Sequence, residues 1–148
     1  MSPWFAAPFV LQGAAMVFDE FHFHRKRGMG KWERLGHPLD TLTVLAPFIL
    51  ILTVPPSAVA MIAYLALCGF SCLFITKDEF IHASECEPME HWLHSVLFVL
   101  HPLVFLTAYL IWPDLAALGW RAWIPVASIL SLLLHQILYW NTPWKPLT

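Results

Sequence analysis

A chain of 148 residues that is 59% hydrophobic and 12% charged, with a mean hydropathy of +0.65, does not have the composition of a soluble domain. Soluble domains run near 45–50% apolar and about 25% charged. A net charge of −2, with no long basic run and no Gly-rich phosphate loop, sets aside nucleic acid and nucleotides as partners. Three cysteines, Cys68, Cys72 and Cys86, without a Cys-x-x-Cys pair, indicate neither a disulfide framework nor a structural zinc site.

The ionisable residues crowd into two windows: residues 19–40 hold 12 and residues 77–94 hold 9. Outside them lie only His101, Asp114, Arg121, His135 and Lys145. A helix needs about 20 apolar residues to cross the hydrocarbon core. Five stretches fit, the second of them short: 3–23, 37–54, 57–76, 91–112 and 120–140. The charged loop 25–36, Pro55-Pro56, the acidic loop 83–90 and the turn 113–119 divide them, each carrying proline or charge that breaks an apolar helix. Trp4, Trp32, Trp92, Trp112, Trp120, Trp123, Trp140 and Trp144 fall near the ends, as an interfacial belt requires.

The prediction is an all-α integral membrane protein forming one transmembrane domain, 1–148. Four helices from two repeated hairpins make its core and a fifth is added. Arg25, Lys26, Arg27, Lys31 and Arg34 place loop 25–36 in the cytoplasm. The N-terminus is then outside and the C-terminus inside, near Lys145. Met1-Ser2-Pro3-Trp4 lacks a basic start and a cleavage pattern, so the first span is expected to be retained. Arg25, Lys26 and Arg27 read as topology determinants, with anionic headgroups as a secondary role.

Asp19-Glu20-Phe21-His22-Phe23-His24 closes span one, and Asp78-Glu79-Phe80-Ile81-His82 closes span three. Glu33-x-x-x-His37 opens span two and Glu90-x-x-x-His94 opens span four, so two hairpins present matching ends. His37-Pro38-Leu39 also aligns with His101-Pro102-Leu103, a rival register seven residues deeper. The Glu-x-x-x-His register is the preferred ligand set because it puts both histidines at one depth.

Residues three or four apart share a helix face. That rule pairs Asp19 with His22, Glu20 with His24, Glu33 with His37, His37 with Asp40, Asp78 and Glu79 with His82, Glu90 with His94, and His91 with His94. Glu79-x-x-His82 has the spacing by which a helix serves a di-metal bundle. Singly, such residues are ordinary interfacial anchors. Their concentration in a chain otherwise nearly free of charge calls for a compensating cation, because an ionisable group within a span costs roughly 2.5–3.5 kcal/mol.

The expected metal ligands are Glu20, His22, His24, Glu33, His37, Glu79, His82, Glu90, His91 and His94. Asp19, Asp40 and Asp78 are placed behind them, Asp40 orienting an imidazole. His101, two turns beyond His94, and His135 face the substrate, stand behind the ligands, or are core histidines. Cys86 is not assigned as a ligand, and Glu85 and Glu87 read as solvated charges. Imidazole with carboxylate selects iron, manganese or zinc, and the donor number suggests two ions.

The expected function is a di-iron oxidoreductase acting on a lipid or other apolar substrate, served by an electron donor. This arrangement is similar in class to the histidine-box lipid desaturases and hydroxylases and to carboxylate-rich di-iron bundles. The signatures HxxxH and HxxHH are absent apart from a bare His91-x-x-His94, so the likeness identifies no family. The alternatives are a zinc-dependent lipid hydrolase, or a non-enzymatic haem b or metal-ion protein with axial pairs such as His37 and His94, or His101 and His135.

Overall fold

The computed structural model describes residues 3–141, and among them every regular element is helical. Trp144 and Lys145, used above for the belt and the C-terminal orientation, lie outside the described residues. Helix α1 (Ala7–Phe18) follows a 3-10 turn and continues through a π-helical turn, Asp19–His24, into Arg25–Arg27. Helix α2 is Lys31–Thr53 and α3 is Ala58–Phe74. A 3-10 turn, Ile75–Asp78, leads into the short helix α4, Glu79–Glu85. Helix α5 is Pro88–Ile111 and α6 is Ile124–Asn141.

The breaks have local causes. Gly28 turns the chain at φ +80°, a conformation that only glycine adopts cheaply, and Gly30 N–H donates to Glu33 at 2.9 Å to start α2. Ser57 caps α3 by accepting from Ala60 N–H. The predicted turn 113–119 is itself helical, in 3-10 and single-turn α pieces, and reverses at Gly119, φ +54°. Pro38 has no N–H to offer the Arg34 carbonyl. Asn141 Nδ2 takes that acceptor at 3.1 Å and so ties the end of α6 to the start of α2.

Helix α1 packs on α5, α5 on α3, α3 on α2 and α2 on α6, with α6 returning to the end of α1 through Phe21 and His135. Helix α6 is therefore not an addition to a four-helix core, since α2 packs more extensively on it than on any other helix. The apolar core fills the end remote from the charged windows, around Val44, Phe48, Tyr64, Val104, Phe105 and Val126. Tyr64, fully buried there, donates its hydroxyl to the Phe105 carbonyl at 2.7 Å.

Among the described residues, three helical runs are long and apolar enough to cross a membrane: Lys31–Thr53, Ala58–Glu85 and Pro88–Asn141, the last containing both α5 and α6. Their outer faces are apolar, with Val59, Leu73 and Val99 each more than 60% exposed. Trp4, Trp32, Trp92, Trp120 and Trp123 are exposed as a belt requires. Trp112 departs from it: the side chain is buried in the core and its indole donates to the Val54 carbonyl.

Candidate metal centre

The charged windows converge at one end of the bundle. His24, His37, His82 and His94 come from the π-turn, α2, α4 and α5. Their ring centroids are 4.7 Å apart for His24 and His37, 4.2 Å for His82 and His94, and 6.2 Å for both His24–His94 and His37–His82. Among the described residues, two groups of imidazole and carboxylate donors form around this ring. Asp19, His24, Glu90 and His94 make one, and Glu33, His37 and His82 the other, with the donor atoms of each group within 4.8 Å of one another. His82 Nδ1 and Nε2, His37 Nε2, His94 Nδ1 and His24 Nε2 are buried without a hydrogen bond. Buried polar atoms are nearly always bonded, so five such nitrogens in one ring have the character of ligands to a cation.

The π-turn explains the first group. Widening the helix by one residue per turn brings Asp19 and His24, five apart, onto one face, with Asp19 Oδ2 3.3 Å from His24 Nε2. Phe21 and His22 rotate outward, and His22 lies exposed, stacked on Phe18. The α-helical pairing of Asp19 with His22 is thus not formed. Asp19 instead stands among the donors themselves, 3.1 Å from His94 Nε2 through both oxygens.

Glu20 lies behind the ring. Its Oε2 is 3.5 Å from His24 Nδ1, and its Oε1 accepts from the Trp140 indole and lies 3.4 Å from His135 Nε2. A carboxylate on Nδ1 that leaves Nε2 facing a donor cluster is the usual support of a metal-bound histidine.

The second group carries a surprise in Arg27. Its Nη2 lies 2.6 Å from Glu33 Oε1 and 3.1 Å from Glu90 Oε1, so one nitrogen joins a glutamate of each group. The sequence reading left Arg27 on the surface, but its side chain is 18% exposed and both glutamates are 1% exposed. Even so, Asp19, Glu20, Glu33 and Glu90 outnumber the single guanidinium, and the remaining negative charge favours a bound cation or protonated imidazole.

The other predicted residues are placed elsewhere. Glu79 turns away from His82 and pairs with His91 at 2.6 Å, both more than a third exposed. Asp40 orients no imidazole: Lys77 Nζ binds it at 2.6 Å and Asp78 at 2.7 Å, while Trp32 donates to Asp78. Gly36 admits this cluster, since a Cβ there would lie 3.3 Å from Lys77 and Asp78. His101 sits deeper, its two nitrogens bonded to Gln12 and Ser71 as a supported core histidine. Cys86 approaches His82 and His94, but burial, then the neighbouring Glu90, pushes its thiol up to about 12, leaving it protonated at neutral pH.

A cavity of about 110 Å³ opens beneath the ring, walled by Met16, Val44, Leu97, Phe98 and Leu132 as well as by donors and His101.

Compared with known proteins, the chain matches no protein family, no curated protein and no solved structure. Its functional reading therefore rests on its own residues.

Proposed function

We propose that this chain is a five-span membrane protein holding two metal ions, iron favoured, at its cytoplasmic end, and that it oxidises an apolar or lipid-borne substrate. The observation that carries the reading is the pair of adjoining donor groups, seven residues from four helix ends with imidazole nitrogens free of other bonds. Imidazole and carboxylate in nearly equal number suit iron or manganese, and two sites sharing one ring suit a pair of ions.

Residues 7–27 continue as one helical path about 30 Å long, enough for a further span beside the three long runs. The basic residues 25–34 share the donor end, which favours the cytoplasmic side for it, with the N-terminus outside and the C-terminus inside. The apolar cavity walls favour a substrate that arrives from the bilayer. Haem fits less well, since His101 already spends both nitrogens on Gln12 and Ser71.

The test is metal per chain by plasma mass spectrometry on protein purified in mild detergent, with an optical spectrum. About two irons and no Soret band is the expected result. Two zincs would move the reading to a hydrolase using metal-bound water. A Soret band, or no metal, would overturn the two-metal centre.

A further inference from the structure

Resting on that reading, a second question is how electrons reach a centre enclosed by four helices. A bonded path runs from the ring to the outer surface of the bundle through Glu20. His24 Nδ1 meets Glu20 Oε2, and Glu20 Oε1 accepts the Trp140 indole N–H. Trp140 lies edge-on to Tyr139, ring centroids 4.9 Å apart, and both rings are half-buried. Arg25 lies over Tyr139 and donates to its hydroxyl at 3.1 Å, while Arg34 reaches the Trp140 carbonyl at 3.4 Å. Arg25 and Arg34 are both exposed, and neither has a carboxylate partner among the described residues. Lys26, by contrast, is paired with Glu87.

Two arginines without acidic partners thus frame the outer end of a bonded path whose inner end is a candidate metal ligand. A metal-supporting carboxylate needs only to hold its histidine. The bond from Trp140 goes beyond that task and links the ring to an aromatic pair at the surface.

We propose that the Tyr139–Trp140 surface, framed by Arg25 and Arg34, is the docking point of an acidic one-electron carrier protein, whose electron passes by way of Glu20 and His24 to the centre. The carrier gives up one electron and one ferric ion becomes ferrous. No bond is made or broken at this step and no proton moves. Opposite charge steers such encounters and makes their rate fall with salt.

The experiment is stopped-flow reduction of the iron-loaded protein, with a reduced acidic ferredoxin and, separately, with dithionite. Arg25→Glu should slow reduction by ferredoxin at least tenfold at low salt and weaken its salt dependence. Trp140→Phe should slow reduction by ferredoxin at saturating concentration. Both variants should keep their iron and their rate with dithionite. Ferredoxin rates unchanged in both variants would overturn the inference and leave the metal centre standing. The inference also falls if Arg25→Glu changes only retention on phosphatidylglycerol vesicles, which would make the arginines headgroup anchors. Purified protein without redox-active metal would overturn the function reading itself, and metal analysis registers that separately.

Discussion

Leucine at His37 should strip metal from the protein while leaving the metal-free fold almost as stable as before. His37 Nε2 is buried without a hydrogen bond, so little polar bonding is lost when the ring is replaced by an apolar side chain of similar size. Alanine at His94 should remove metal as well, at an added cost to the metal-free fold, because Asp19 loses the imidazole that both its oxygens face at 3.1 Å. In each variant, metal retention against a chelator should fall by more than the roughly 10- to 100-fold that loss of an outer hydrogen-bond partner costs. His91→Ala is the control, since its ring pairs with Glu79 at the rim and metal content should not change. Metal content and thermal unfolding, each with and without chelator, check this. Full metal retention in both His37→Leu and His94→Ala would remove the ring from the metal centre.

Arg27→Met carries the largest expected effect on the fold. Removing one partner of a buried ion pair costs about 3–5 kcal/mol, because the other charge stays buried and uncompensated. Here one guanidinium serves two glutamates, each 1% exposed, on two different helices. Arg27→Lys should recover part of the loss, because an ammonium can approach both oxygens but cannot form the forked pair with Glu33. Metal added back should narrow the difference between wild type and Arg27→Met, because the ions supply positive charge to the same carboxylates. Unfolding of the detergent-solubilised protein measures all three. A change in Arg27→Met no larger than in Arg25→Met would show that the surface reading of Arg27 was right.

Much of the candidate centre was legible because the spacing within a helix decides it. Glu33 with His37 and Glu90 with His94 follow from α-helical geometry alone, and the structure brings both pairs into the donor groups. The same rule misplaced His22 and put Asp19 behind the ligands, because Asp19–His24 winds as a π-turn and shifts the shared face by one residue. Spacing also failed for Glu79, which has a closer partner in His91 on another helix. Arg27 and Trp140 were missed for a different reason. Arg27 meets Glu90 across 63 positions and Trp140 meets Glu20 across 120, and no local pattern records contacts at that range. One signal did exist for Arg27: an end of the bundle so rich in carboxylates needs a buried cation, and the sequence offers three arginines within ten residues.

Composition and period alone determined that the chain is helical, that its helices are apolar enough to cross a membrane, and that its histidines and carboxylates gather at the helix ends. Those properties are sums over residues or relations within one helix, so they survive without knowledge of the packing. The tertiary structure decided which donors face one another, that α6 packs along α2, and that Arg27 joins the two groups. Each of these depends on the rotation of one helix against another, which packing and the buried charges set together.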